Sequence, residues 1–507
     1  MLLTTTILMK IIQILIVIVA LIACSVSWSI GRDEYAKTSS KMSHIHREAT
    51  NIMMKRTVAE ETGYRPRIRL NNTAVATSVP FYKYMTISGL ENAFNNAVYG
   101  AFDAGINGDI AVVAFEGFAS LPVYDVFPAF VSYSGVQSGN LVLVDTIYQN
   151  FTYGSAAAAV CKNPTKRIVL QALLYTKTLY TNPFISPVNF MIVAYEYYAN
   201  GSFNHTPKIW ENLSSIQPDL YESAASYSGA VKFSEDCEYI IFTASLGATS
   251  PIPTNQTIGV VKLNSNWTLS NPIFVLYPST NIPGYLYFPQ TASMVLNDRT
   301  GVYLLILPSN TFTLTDIFGV AGTATLFSYS YDPATQKLAL ISNVSVPQYI
   351  QGIAVNNQGK KVVTIGDCVI SQKQSFSRRC KTAYMNGAPS PNDEIRFYDI
   401  STSGVLSYDD SVDLNGWGGS GIFSPYDDKL VITWSPALLN TLINLQIRSF
   451  APNIVSIYEV KTSKITLQDQ SGASPLSFGL AFNENEQLLV AGMPMALQSE
   501  VQLFSLD

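Results

Sequence analysis

The chain has 507 residues, 48% of them hydrophobic and 13% charged, with a formal net charge of -5. That balance supplies a large core and excludes general disorder, and the lack of a global basic field argues against nucleic-acid binding. The 29 Tyr and 25 Phe, set among many Val, Ile and Thr, suit pleated, half-buried surfaces.

In chain order, Lys10 precedes an apolar run from Ile11 to Trp28 that is interrupted by Gln13 and ends in small residues. Three readings follow: a signal peptide with Ala23 and Ser25 placed for cleavage, an uncleaved signal anchor, or a bacterial lipoprotein leader, since Leu21-Ile22-Ala23-Cys24 resembles its processing box. Each sends the rest of the chain across a membrane, so residues 1–30 are expected to be a signal or anchor. Residues 31–78 are charged and lack apolar periodicity; they read as a stalk or pro-segment, with Lys55-Arg56 resembling a dibasic processing site. Retained beside an anchor, its basic residues suit anionic lipid.

Cysteine and asparagine usage fits that destination. Beyond Cys24, the even set Cys161, Cys237, Cys368 and Cys380 allows two disulfides in three connectivities. Asn-x-Ser/Thr acceptor sequences occur at Asn71, Asn150, Asn200, Asn204, Asn212, Asn255, Asn266 and Asn343.

From about Val79 the pattern is short strands bounded by Gly, Pro, Asn, Asp and Ser. Hairpins are expected at Tyr99–Ala114 (turn Gly105-Ile106-Asn107-Gly108), Ala156–Ala172, Gly229–Phe242, Ala292–Leu307, Gly352–Ile365, Gly419–Ser435 and Phe478–Val490. In most, the last apolar residue before the turn and the first after it lie seven apart: Cys161 and Ile168, Phe233 and Ile240, Val355 and Val362, Phe423 and Leu430, Phe482 and Leu489. A further pair of strands follows each hairpin; Gly259–Leu263 then Pro272–Val275 is one example. The last unit has a third strand, Val501–Leu506, and no fourth, while one unpaired strand, residues 81–87, precedes the first hairpin.

Seven units of four strands resemble a seven-bladed β-propeller, a superfamily that includes lactonase-like and WD-type repeats, over residues 79–507. The resemblance implies an all-β ring closed by the N-terminal strand in the last blade. Its first strands face the channel, where Ala156-Ala157-Ala158, Gly352 and Gly419-Ser420-Gly421 are small enough to fit. On that map Cys161 and Cys237 share a rim on adjacent blades, and Cys368 and Cys380 bracket a basic loop, so those are the expected disulfides.

The long second-to-third connections, 176–188, 308–322 and 436–452, fall on one face, where repeat proteins usually place recognition. Phe312, Phe318, Leu439 and Ile443 are the binding-face candidates there, either capping one another or exposed to a partner.

Chemistry is sparse. His44 and His46 lie in the stalk and His205 in a loop, which disfavours a Ser-His-Asp mechanism or a His-held metal in the channel. No catalytic residue is assigned. Glu116 and Asp367, at the ends of second strands, are weak candidates for a calcium or hydrolytic site; no other cofactor is expected. The fold does not settle the function. The reading that follows is a secreted or membrane-tethered platform for a protein or glycan ligand on the loop-rich face, with no nucleic-acid partner. The alternatives are a lactonase-like hydrolase using a carboxylate-held metal, and a structural surface or shell protein.

Overall fold

The computed structural model describes residues 79–80, 97–119, 125–151, 156–163, 165–175, 189–213, 220–222, 231–246, 255–276, 285–289, 293–297, 300–313, 322–346, 349–367, 394–414, 417–435, 453–461, 464–473, 479–491, 498–499 and 501–506. All of them belong to the unit Pro66–Asp507.

These strands form an all-β, seven-bladed propeller of antiparallel meanders. The first blade is Ala97–Asn107, Ile110–Ala119, Asp125–Ser134 and Val142–Phe151. The second is Ala156–Val160, Ile168–Tyr175, Asn189–Glu196 and Ile209–Asn212. In the third, Leu220–Glu222 and Val231–Phe233 both pair with Tyr239–Leu246, followed by Asn255–Lys262 and Ile273–Leu276. The fourth repeats that device: Tyr285–Pro289 and Ser293–Asn297 share Val302–Thr313, and Gly322–Asp332 and Lys337–Val346 follow. The fifth is Tyr349–Val355, Lys361–Asp367, Glu394–Ile400 and Leu406–Asp413, and the sixth Trp417–Phe423, Lys429–Ser435, Asn453–Lys461 and Lys464–Ala473. The seventh has Gly479–Phe482, Gln487–Ala491 and Val501–Ser505. Just before its third strand, Gln498–Ser499 pairs antiparallel with Val79–Pro80 in a separate two-stranded ribbon. Residues 81–87, expected to close the last blade, lie outside the described residues.

Side chains alternate across a strand, and here both faces of a blade are covered. In the second blade Ile168, Leu170 and Ala172 pack on the third blade with Val231, Phe233 and Phe242. Val169, between them in sequence, packs with Ile110, Val112 and Phe130 of the first. The core is therefore divided into seven wedges, one at each blade joint. Closure comes from the wedge between the last blade and the first, where Ala481, Leu489, Val501 and Leu503 meet Ala104, Ile106, Val113 and Tyr133.

The hairpin register holds in detail. Phe233 pairs with Ile240, Val355 with Val362 and Phe423 with Leu430, while the Cys161 amide donates to the Ile168 carbonyl at 3.0 Å. The seventh blade departs from expectation: Phe482 pairs with Leu488, because its turn is a residue shorter and closes with Asn483 N donating to Gln487 O at 3.1 Å. In the first blade the strands run on to Asn107 and resume at Ile110, so Gly108-Asp109 makes the turn. Cys237, Asp427 and Glu486 take the left-handed turn conformation that Gly108, Gly301 and Gly359 take in other blades. The Ser-Pro-x-Asp-Asp turn is likewise turn chemistry: Ser424 Oγ donates to Asp428 Oδ1 at 2.7 Å and accepts from Lys429 N at 3.1 Å.

Leu489→Ala empties part of the closing wedge and is expected to cost about 2–5 kcal/mol. The loss should be read as a lower urea midpoint with an unchanged slope, because all the wedges open together. A second, separate transition for the last blade would contradict ring closure.

Candidate functional site

The inner strands crowd together where blades meet, and their small residues permit it. A Cβ on Gly352 would stand 2.1 Å from the Gly419 carbonyl oxygen, and one on Gly105 would stand 2.6 Å from Val160 Cγ1. Into this confined region the first strand of the first blade places one charged side chain. Asp103, 4% exposed, accepts from Val160 N at 2.9 Å through Oδ2. Its Oδ1 lies 3.4 Å from Lys162 Nζ and 3.4 Å from Lys232 Nζ. The three residues come from the first, second and third blades, so a single carboxylate ties three consecutive blades.

Burial alone would raise the Asp103 pKa, but the two ammonium groups and the Val160 amide outweigh it and hold the carboxyl below its ordinary value. A carboxylate so held is a weak general base and is never a neutral-pH acid. The cluster binds the ring together. Its two cations against one anion leave a net positive charge, with Lys162 half exposed.

A second set of links lies at the turn rim between the second and third blades. A disulfide joins Cys161 to Cys237, with Cα atoms 5.9 Å apart. Around it Asn163 Nδ2 donates to the Asp236 carbonyl at 3.5 Å, and Lys166 pairs with Glu238. Asp236 Oδ2 accepts from the Tyr303 hydroxyl and so carries the link on to the fourth blade. Asp427 does the same between the fifth and sixth blades, accepting from Asn356 Nδ2 at 3.0 Å and Asn357 N at 2.8 Å. In the second blade, burial pushes the Tyr197 phenol up to about 12 against the opposing pull of Asn107 and Arg167.

The residues anticipated from sequence are distributed as follows. Cys161 and Cys237 pair as expected; Cys368 and Cys380 lie outside the described residues. Glu116 stands in the second strand of the first blade, opposite Gly100, and Asp367 ends the second strand of the fifth, opposite Tyr349. Those blades are not adjacent, and among the described residues no group of three or more His, Cys, Asp or Glu could hold a metal. Phe312 is not in a loop. It lies in the strand Val302–Thr313, paired with Leu286 and Gly322, because the alternating β-formers Thr311-Phe312-Thr313 extend that strand against a second inner partner. Phe318, Leu439 and Ile443 lie outside the described residues.

Among the acceptor asparagines, Asn200, Asn266 and Asn343 are exposed. Asn204 and Asn212 are half-buried, Asn150 and Asn255 stand in strands, and Asn71 lies outside the described residues. His205 faces Asp145 of the first blade, Nε2 to Oδ2 at 3.1 Å, an inter-blade contact rather than a site in the channel. Asp103 and Lys232 were missed by sequence reasoning; their one signal is a charge inside an apolar strand, as in Ala101-Phe102-Asp103-Ala104 and Val231-Lys232-Phe233.

The arrangement is that of a β-propeller. No protein-family model matches the chain, and no curated protein does. Solved structures of similar shape include a Lactobacillus plantarum protein at 10% identity and TM-score 0.44, covering 74% of this chain and 86% of that one. A periplasmic gluconolactonase of Pseudomonas aeruginosa aligns at 9% identity and TM-score 0.44 over 80% of this chain and 88% of its own. The β-propeller domain of the Trilobed protease from Pyrococcus furiosus aligns at 9% and 0.39 over 80% and 93%.

Asp103→Asn keeps an acceptor for Val160 N but removes the charge, and is expected to cost about 2 kcal/mol at neutral pH. Because the folded carboxyl titrates below its unfolded value, its contribution is present above the unfolded pKa. It is lost as pH falls through the folded pKa. Wild type and variant should therefore converge in denaturant midpoint at acid pH; a gap that widens with acid would contradict the pairing.

Proposed function

We propose that the chain is an extracellular propeller, secreted or tethered through residues 1–30 and spaced by residues 31–78, whose ring over 79–507 presents a binding face to a protein or glycan ligand. The observation that carries the compartment is the Cys161–Cys237 disulfide, buried at 2% and 1% exposure between adjacent blades. Structural disulfides of this kind belong to oxidising compartments. Leader, tether and glycosylation are part of the same proposal. Among the described residues no helix is long and apolar enough to cross a membrane.

The platform reading is supported by how polar groups are used. Inter-blade hydrogen bonds and ion pairs engage the turn rim, as at Asp236, Asp427 and Lys429–Glu486. The opposite ends of the blades, such as Tyr175, Asn189, Ser435 and Asn453, flank the long connections 176–188 and 436–452. A rigid scaffold bearing variable connections at one end is the usual arrangement for recognition.

In protein recovered from its source, non-reducing peptide mapping should find Cys161 linked to Cys237. Reduction should cost about 4.5 kcal/mol on a loop-entropy estimate for a separation of 76 residues. Replacing 436–452 with a Gly/Ser linker should abolish saturable binding to cell-surface protein or glycan while leaving the melt unchanged. Free thiols would overturn the compartment, and lactone turnover with stoichiometric calcium would replace the platform with an enzyme.

A further inference from the structure

We propose that Asn200 carries an N-linked glycan whose first N-acetylglucosamine lies on the ring of Tyr198, and that this contact fastens the outer hairpin of the second blade. The inference rests on the extracellular reading and adds the position and the contact to it.

The hairpin is built for such a contact. Tyr198 N donates to Ser202 O at 2.9 Å, Gly201 N donates to Tyr198 O at 2.9 Å, and Gly201 has φ +88°. This is a short turn ending in a left-handed bulge residue. The turn is fixed against the first blade, where Ser132 Oγ donates to the Gly201 carbonyl at 2.6 Å. A Cβ at Gly201 would already meet Ile110 Cδ1 and Val144 Cγ2 at 3.2 Å. With Gly201 facing the neighbouring blade, Tyr198 and Asn200 are left on the solvent side: Tyr198 is 48% exposed and Asn200 is exposed.

The acceptor itself is prepared. Ser202 donates to Asn200 Oδ1 through its hydroxyl at 2.8 Å and its amide at 3.1 Å. Among the described residues Nδ2 makes no hydrogen bond. Modification joins Nδ2 to the anomeric carbon of an N-acetylglucosamine carried on a lipid pyrophosphate. The bond from that carbon to the pyrophosphate oxygen breaks, the pyrophosphate leaves with the electron pair, and one amide proton is lost to base. One face of the sugar ring presents C–H groups, which the negative face of a tyrosine ring attracts. An exposed tyrosine two residues before the acceptor gains a partner in this way.

Two other blades supply controls in the same turn. In the third, Asn264 N donates to Thr268 O at 2.9 Å and Trp267, at φ +63°, replaces the glycine. Here Asn266 is an acceptor, with Thr268 Oγ1 donating to its Oδ1 at 2.7 Å, but the first position is Asn264 and offers no ring. In the fifth, Ser401 to Val405 forms the turn with Ser403 at the third position and no acceptor.

The full chain, secreted from a eukaryotic host, tests this as wild type, Tyr198→Ser, Asn200→Gln and the double variant. Peptide mass spectrometry reads occupancy, and hydrogen exchange reads the amides at positions 198 and 201, whose acceptors are backbone carbonyls that neither substitution removes. We expect Asn200 occupied and exchange about fivefold slower in wild type than in either single variant, with the double variant no faster than the singles. Asn266→Gln should leave exchange in the third-blade turn unchanged. Asn200 unoccupied while other acceptors are modified overturns this assignment alone. All acceptors unmodified overturns it together with the extracellular reading. Occupancy without any dependence on Tyr198 overturns the contact.

Discussion

Burial of both faces of every blade is the constraint on which the ring depends. A strand between two neighbours is buried at odd and even positions alike: Ile168, Leu170 and Ala172 pack one way and Val169 the other, and even the polar Gln171 among them is buried. A slip of one residue would exchange the two faces and misfit both wedges at once, so register is set doubly. The joint between last and first blades then has the same standing as the other six. It is an apolar wedge of the same make, helped by Gln487 Nε2 donating to the Val136 carbonyl at 3.1 Å.

Polar side chains do a different task at the periphery, and they repeat. Ser132 Oγ reaches the Gly201 carbonyl of the second blade at 2.6 Å, and Ser328 Oγ reaches the Gly404 carbonyl of the fifth at 2.7 Å. The two serines sit in similar segments, Phe130-Val131-Ser132-Tyr133-Ser134 and Leu326-Phe327-Ser328-Tyr329-Ser330. Both glycines are in the left-handed region and lie too close to the neighbouring blade for a side chain without displacement. These hydrogen bonds link neighbouring blades beside the wedges, and the disulfide links one such joint covalently.

Much of the fold was legible because it is written locally. The seven-residue spacing from Phe423 to Leu430 reports an inward pair across a short turn, and four of the five quoted hairpins keep it. The fifth shifts by one because Glu486 takes the left-handed turn position in a shorter loop, which side-chain pattern does not reveal. Phe312 departs from its expected loop for a related reason: a proline such as Pro308 commonly marks a strand end, yet here it pairs with Leu326 inside a long strand. The Asp103 cluster left only the trace of a charge inside an apolar strand, since pairing it requires knowing that two first strands and the turn after a third converge. The cysteine pair was, because its two positions follow from the repeat itself.

Native-state hydrogen exchange across the second strands tests the closed ring most directly. If the wedges interlock as described, Val112, Leu170, Ile241, Leu305, Val363, Val431 and Leu489 should exchange through one global opening with a common free energy and a common denaturant dependence. If Leu488, Leu489 and Val490 instead open at lower free energy than the other strands, the last blade is an appendage and the ring is not closed.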